Sequence, residues 1–92
     1  MISSFRHKGL KRLYEDDDPR GLDPGSVRKI RQILAALDVA ETIEDMNLPT
    51  LGLHPLKGDL AGCWSVTVRA NWRVVFQFSQ GEAVSVDLVD YH

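Results

Sequence analysis

The stretch WSVTVRANWRVVFQFSQGEAVSVDL, residues 64–88, sets the fold class of this 92-residue chain. Its apolar residues alternate with polar ones in three short runs, a period of two that is typical of half-buried antiparallel strands. The apolar positions are Trp64, Val66, Val68, Trp72, Val74, Phe76, Phe78, Val84, Val86 and Leu88. We therefore expect three antiparallel strands that bury one face of a small sheet.

The two turns between these runs predict how the strands pair. Pairing Val68 with Trp72 keeps the apolar residues of the first two strands on one face. Pairing Phe78 with Glu82 does the same for the last two strands. Each hairpin then closes through a three-residue loop that ends in Asn or Gly, the residue types that best tolerate a left-handed backbone.

The first half of the chain has helical periodicity. Residues 2–5 are predicted as a short strand, and residues 9–14 as a short helix. A longer helix is expected to open with Asp23 as its N-cap and Pro24 at its first position. The apolar face of this helix repeats over three turns and consists of Val27, Ile30, Ile33, Leu34 and Leu37. A weaker helical turn is expected at 43–46, so the sequence predicts an α+β fold with the helices covering one face of the sheet.

Composition and short motifs exclude several classes of protein. The chain is 43% hydrophobic with a net charge of −2, which predicts one folded domain over residues 1–92. Its longest apolar run, Ile33–Leu37, is too short to cross a membrane, and its first residues do not resemble a secretion signal. The single cysteine, Cys63, cannot form an internal disulfide, so we expect a cytoplasmic protein. Zinc-ligand spacing, a P-loop and a dinucleotide-binding glycine pattern are all lacking, so we expect neither a metal nor a cofactor.

Acidic and basic residues are segregated along the chain. Residues 1–14 carry four basic side chains and no acidic one, and an acidic run, Glu15–Asp18, follows directly. A basic surface can therefore coexist with a slightly acidic total charge. The basic residues that could form such a surface for binding RNA are Lys8, Lys11, Arg12, Arg28 and Arg31. The alternative is that they are ordinary solvated residues on the helix surfaces.

Two short segments concentrate groups that can transfer protons or bind phosphate. LHPLKGD, residues 53–59, contains His54 and Lys57, and the chain ends in VDYH, residues 89–92. Such groups suit RNA cleavage, in which a base takes the 2′-hydroxyl proton, cations stabilise the phosphate and an acid protonates the leaving oxygen. For each histidine alone, a surface or structural role is the alternative.

Arg73 has two possible roles. The predicted register aligns Thr67, Arg73 and Asp87 across the open face of the sheet. Arg73 is therefore either a phosphate-binding cation or the structural partner of Asp87 in an exposed ion pair, which contributes well under about 1 kcal/mol.

Five motifs in the chain closely resemble the HigB family of bacterial toxins. These motifs are SFRHKGL at 4–10, LHPLKGD at 53–59, WSV at 64–66, NWR at 71–73 and DYH at 90–92. The resemblance implies the RelE-like fold of the wider RelE/ParE superfamily and a ribosome-dependent endoribonuclease that cuts mRNA in the A site. It also implies a HigA-like helix-turn-helix antitoxin that represses the shared operon, so that DNA is contacted only through the toxin–antitoxin complex.

The resemblance also implies roles for individual residues. It assigns His54 and His92 to acid–base catalysis, Asp90 and Tyr91 to their support, and Lys57 and Arg73 to the phosphate. The chain departs from the family pattern in its acidic run, 15–18, and at Cys63, where an aromatic residue is common.

Two other functions remain open at this point. The chain could be a ParE-like inhibitor of DNA gyrase on the same fold, or an RNA-binding module without activity. The pair of His54 and His92 favours the nuclease, because gyrase inhibition does not require two proton-transfer groups beside cations.

Overall fold

The structure, a computed structural model, describes residues 1–90 of the chain. In this part of the chain the helices are α1 (Lys8–Asp16) and α2 (Val27–Val39). The strands are β1 (His54–Pro55), β2 (Trp64–Arg69), β3 (Trp72–Ser79) and β4 (Glu82–Asp90). Short 3-10 turns lie at Pro24–Ser26, Ile43–Met46 and Gly58–Leu60. The strands form one antiparallel sheet in the order β1-β2-β3-β4, which confirms the predicted α+β fold.

Local capping sets both ends of α1. The imidazole Nδ1 of His7 accepts a hydrogen bond from the Leu10 N–H at 3.2 Å, so His7 is the N-cap. Asp17 ends the helix in the left-handed conformation, with a φ of 55°. Its backbone N–H donates to the Leu13 carbonyl at 3.1 Å. The predicted helix is confirmed and extends beyond both predicted ends.

The predicted start of the second helix is a 3-10 turn. Pro24 begins this turn, and the α-helix follows from Val27. Asp23 precedes the turn, but its carboxylate accepts a hydrogen bond from the Ser26 hydroxyl at 3.0 Å rather than from a backbone N–H. The buried residues of α2 are Ile30, Ile33, Leu34 and Leu37, four of the five predicted.

The core lies between the helices and one face of the sheet. Its largest fully buried side chains are Phe76, Leu10, Ile30, Ile33, Leu37, Met46, Val66, Val74 and Val86. Met46 comes from the predicted turn at 43–46, which begins with a capping box between Thr42 and Asp45. Val66 in β2 and Val74 and Phe76 in β3 are buried as predicted, but Ser65 and Val75, which the alternation assigns to the opposite face, are buried as well.

The first hairpin differs from the prediction at its loop. Arg69 pairs with Trp72, so the loop has two residues, and Ala70 takes the left-handed φ of 49°. A bulge in β2 lets Thr67 still pair with Arg73, as predicted. Because the bulge inserts Val68 as an extra residue, Val68 stays buried and Arg69 turns outward with a side chain 61% exposed. Trp72, predicted to lie in the core, is instead 42% exposed.

The second hairpin also has a two-residue loop, and its register was predicted wrongly. Ser79 pairs with Glu82, and farther along the register shifts by one residue. At the shift Ser85 adopts a left-handed φ of 54°, so it forms a bulge in β4. Beyond the bulge Val75 pairs with Asp87 and Arg73 pairs with Val89.

The bulge changes which residues of β4 face the core. Ala83 and Val86 are both fully buried, whereas Val84, predicted to be in the core, is only half-buried. The alternation of apolar residues cannot reveal such a bulge, because one extra residue reverses the faces of everything after it.

The N-terminal segment lies along the outer edge of β4. Ile2 and Phe5 form isolated parallel bridges to Ala83 and Val86 instead of the continuous strand predicted for residues 2–5. The hydroxyl of Ser4 accepts a hydrogen bond from the Ser85 N–H at 2.8 Å. The segment therefore both covers an exposed sheet edge and stabilises the bulge.

Replacing Phe76 with alanine should lower the free energy of unfolding by about 3–5 kcal/mol, because a fully buried ring is exchanged for a cavity. Urea unfolding followed by circular dichroism measures this change. Val39→Ala is the matched control, since Val39 is 75% exposed, and it should change the free energy by less than about 0.5 kcal/mol. Equal losses in the two variants would contradict the described core.

Candidate functional site

The open face is the face of the sheet that the helices do not cover. Directly paired residues share a face, so the register places the open-face side chains in two rows. One row contains His54, Ser65, Val75 and Asp87, and the other contains Thr67, Arg73 and Val89. Candidate residues that are far apart in the sequence therefore share one surface.

His54 is exposed on β1 at one side of the open face. Its strand pairing with Ser65 fixes its backbone, and Pro55 restricts it to an extended conformation. Within residues 1–90 its imidazole has no hydrogen-bond partner. The ring is therefore available to a ligand as a proton donor or acceptor.

Arg73 is half-buried and bound to its own hairpin loop. Its Nη1 donates to the carbonyl of Ala70 at 2.8 Å and to that of Trp72 at 3.3 Å. The alternative role for Arg73, an ion pair with Asp87, is not found among the described residues, because the bulge moves Asp87 opposite Val75. Asp87 instead accepts a hydrogen bond from the Leu88 N–H at 2.9 Å. The loop carbonyls orient the guanidinium and leave its Nε and Nη2 donors for an anion.

His54 and Arg73 share the open face without being in contact. They lie two strands apart, about 10 Å across the sheet, and are offset by two residues along it. A substrate that bound both would therefore have to lie across the strands, as an extended polymer can.

The remaining predicted catalytic residues occupy other positions. Lys57 is exposed just before the 3-10 turn Gly58–Leu60, and its side-chain amine has no hydrogen-bond or ion-pair partner within the described part of the chain. Asp90 ends β4 opposite Trp72, so it is on the other face from Arg73. Tyr91 and His92 lie outside the described residues. The structure therefore places four of the six predicted catalytic residues.

Sequence reasoning missed a cavity of about 120 Å³ on the open face. It is lined by Arg6, Leu60, Cys63, Val75, Gln77, Ser85, Asp87 and Val89. These residues come from the N-terminal segment, the loop before β2 and both sides of the bulge, so no local motif marks the cavity. The only signal in the sequence is Cys63, which departs from the family pattern.

A larger cavity of about 270 Å³ lies on the opposite side, between the helices and one end of the sheet. Its walls are mainly apolar and include Ile30, Val68 and Leu88. None of the described candidate catalytic residues lines it, and two of them, His54 and Arg73, lie on the open face instead.

The predicted RNA-contacting residues divide into two groups. Arg12 donates from Nη1 to the Arg20 carbonyl at 3.1 Å, and Arg31 is paired with Asp17. Lys8, Lys11 and Arg28 have no side-chain partner among residues 1–90. These last three charges are therefore the ones most available to an external phosphate.

Two of the four residues in the acidic run 15–18, Asp17 and Asp18, pair with nearby arginines. Arg20 donates to Oδ2 of Asp18 from Nε at 2.9 Å and from Nη2 at 2.7 Å, and from Nε to Oδ1 at 3.1 Å. These hydrogen bonds lower the pKa of Asp18 to about 2. Since Asp17 pairs with Arg31, the run makes its ion pairs within the helical half of the chain and away from the open face.

Neither a metal site nor a membrane-spanning helix is found among the described residues. Within residues 1–90, no three His, Cys, Asp or Glu side chains are grouped so as to hold a metal ion. The same residues contain no helix long and apolar enough to span a bilayer.

Two solved structures share the arrangement of helices and strands. A mutant of YafQ from E. coli superposes with a TM-score of 0.60 at 15% identity, covering 98% of this chain and 93% of that one. The YoeB/ParE toxin from Agrobacterium tumefaciens superposes with a TM-score of 0.53 at 24% identity, covering 100% of this chain and 99% of that one. These similarities show that the fold is RelE-like.

Two sequence relatives cover nearly the whole chain. Endoribonuclease HigB of Proteus vulgaris is 49% identical over 92 residues, the full length of both proteins. Toxin HigB-1 of Vibrio cholerae serotype O1 is 32% identical over 90 residues, covering 96% of this chain and 95% of that protein. A family model described as RelE-like toxin of type II toxin–antitoxin system HigB matches residues 3–92. This chain therefore belongs to the HigB-like family of type II toxins.

Proposed function

We propose that this toxin is an endoribonuclease that cuts translated mRNA in the A site of the ribosome. Its 49% identity to a full-length relative named as an endoribonuclease supports the activity. The observation that carries the proposal is the exposed His54 imidazole, which shares the open face with the oriented guanidinium of Arg73.

The proposed chemistry is a transesterification within the RNA. A histidine takes the 2′-hydroxyl proton, the 2′-oxygen forms a bond to phosphorus, and the bond from phosphorus to the 5′-oxygen breaks. A second acid gives its proton to that leaving oxygen. We assign the acid–base roles to His54 and His92, with Asp90 and Tyr91 supporting them.

The phosphate becomes more negative as the 2′-oxygen attacks. Arg73 and Lys57 are the proposed cations that stabilise this charge. Two loop carbonyls hold Arg73 before substrate arrives, which reduces the cost of orienting it. The proposed route needs no metal ion.

The ribosome supplies the positioning that the small open face lacks. Holding a reactive phosphate in place can lower a barrier by several kcal/mol. We propose that Lys8, Lys11, Arg12, Arg28 and Arg31 dock the toxin on ribosomal RNA in the cytoplasm. The type II family implies an antitoxin, and we propose a HigA-like helix-turn-helix protein that links the toxin to DNA only through their complex.

Inhibition of DNA gyrase is the competing function on this fold. Similarity to the YoeB/ParE structure, at 24% identity, concerns the fold alone. A brief pulse of expression followed by sequencing of mRNA 5′ ends separates the two functions. Cuts within translated regions support the nuclease, whereas intact mRNA with a DNA-damage response would support gyrase inhibition.

Purified toxin should cut mRNA held in a ribosome and be nearly inactive on the same RNA alone, because the open face by itself orients an extended strand poorly. Primer extension on both substrates measures the difference. Efficient cleavage of free RNA that is unaffected by added ribosomes would contradict this dependence.

His54→Gln, His92→Gln and Arg73→Ala should each slow cleavage by about 10²–10⁴-fold, because each removes a proposed proton-transfer or charge-stabilising group. Single-turnover cleavage on programmed ribosomes measures the rates. His7→Asn is the matched control, since it removes an imidazole but retains an N-cap acceptor for α1. A fully active His92→Gln variant would refute the role of the terminal histidine.

Lys8→Gln, Lys11→Gln and Arg28→Gln should each reduce the steepness of the salt dependence of ribosome binding. The slope of log affinity against log salt concentration should fall by about one, as expected for a lost phosphate contact. Affinity measured across a range of KCl concentrations tests this. Lys29→Gln is the control, because the Lys29 amine already donates to the Thr50 carbonyl at 2.8 Å. Unchanged slopes in all variants would show that these are only solvated residues.

A further inference from the structure

The open-face cavity, called here the Cys63 cavity, has a partly apolar lining. Val75 forms part of its lining and is buried outside the main core, on the face opposite to the helices. Leu60, Cys63 and Val89 contribute further apolar walls. A volume of about 120 Å³ is suited to one flat aromatic ring system rather than to a larger ligand.

Four of the eight residues that line this cavity are polar, namely Arg6, Gln77, Ser85 and Asp87, and three of them come from separate segments. Arg6 comes from the N-terminal segment, Gln77 from β3 and Asp87 from β4. Within residues 1–90, the side chains of Arg6 and Gln77 have no hydrogen-bond partner. Asp87 uses Oδ1 to accept from the Leu88 N–H and leaves Oδ2 unengaged by the described residues.

The opposite charges on this cavity do not pair with each other. Arg6 and Asp87 line the same space, yet the ion pairs found among the described residues do not include them. A ligand with donors at one edge and acceptors at another would satisfy both groups at once. A phosphate would be repelled by the Asp87 carboxylate, so the lining does not suit an anion.

We propose that the Cys63 cavity binds one nucleobase of the mRNA beside the cleavage point and favours a base with an exocyclic amino group. This inference rests on the proposed ribonuclease function. Asp87 accepts a hydrogen bond from the amino group, as carboxylates do from cytosine, and Arg6 and Gln77 donate to ring or carbonyl acceptors. Uracil lacks the amino group and leaves the carboxylate unpaired.

The position of the cavity agrees with this role. Val75 and Asp87 lie in the same open-face row as His54, and Val75 is two strands from it, about 10 Å away. Val89 lies directly opposite Arg73 in the neighbouring row. An RNA strand crossing the sheet from His54 towards β4 would thus bring a neighbouring base over the cavity.

Cys63 provides a direct reporter because it is the only cysteine in the chain. Its half-buried side chain lines the cavity, so a bound base would shield the thiol from an alkylating reagent. Mass spectrometry of the Cys63 peptide measures alkylation without requiring RNA cleavage.

The test uses toxin on ribosomes whose A-site codon carries 2′-deoxy sugars to prevent cleavage. One mRNA has an intact amino-bearing codon, and the other has the same backbone with abasic positions. We expect iodoacetamide to label Cys63 at least fivefold more slowly with the intact codon. Equal labelling rates would overturn the proposal, because only the bases differ between the complexes.

A second arm measures base preference by sequencing the cut ends of a codon library on ribosomes. Wild-type toxin should disfavour uracil by at least fivefold at one fixed position relative to the cut, and Asp87→Asn should reduce this to less than twofold. Glu82→Gln removes the same charge from β4 outside the cavity and should retain the wild-type profile. An unchanged profile in Asp87→Asn would overturn the base contact.

The two arms separate this proposal from the proposed function. Wild-type toxin that cuts no ribosome-bound mRNA would refute the nuclease, whatever the labelling shows. Normal cleavage with equal labelling rates would refute only the base-binding cavity.

Discussion

The bulge at Ser85 determines which side chains of β4 reach each side of the sheet. One extra residue keeps Ala83 and Val86 in the core while sending Asp87 and Val89 to the open face. The backbone there is left-handed, an unfavourable conformation for serine, and the hydrogen bond from its N–H to the Ser4 hydroxyl offsets that cost. The N-terminal segment thus supports the geometry of a surface formed at the other end of the chain.

This bulge also keeps the charges of the open face apart. Without the shift, Arg73 would face Asp87 and their mutual attraction would compete with any phosphate. With it, two loop carbonyls orient Arg73, and Asp87 lines a separate cavity. The open face therefore combines three different features: the oriented guanidinium of Arg73, the available imidazole of His54 and the partly apolar Cys63 cavity. In the proposed function these bind a phosphate, transfer a proton and bind a base.

The helical half of the molecule handles its charges differently. Two residues of its acidic run pair with arginines of the same half, Asp18 with Arg20 and Asp17 with Arg31. These exposed pairs contribute little to stability. Their main consequence is electrostatic. The carboxylates of Asp17 and Asp18, which follow the basic first helix in the sequence, are paired with arginines and so add little unpaired negative charge to the proposed RNA-facing surface.

The two helices, the three long strands and most of the core could be predicted from the amino-acid sequence, as could the identity of the proposed catalytic groups, whereas strand β1 was not predicted. Hydrophobic periodicity and capping depend only on residues close together in the sequence. The helical spacing of apolar residues in α2 and the alternation of apolar residues around Val66 and Val74 can therefore be recognised in the sequence. Even Thr67 opposite Arg73 followed from the faces of two adjacent strands. The RelE-like fold followed from motifs that match a known family over the whole chain.

The two-residue loops, both bulges, the partner of Arg73 and the Cys63 cavity arise only when the chain folds. These features depend on contacts between segments as distant as Ser4 and Ser85, and a single inserted residue reverses strand faces without changing the apolar pattern from which the sequence is read.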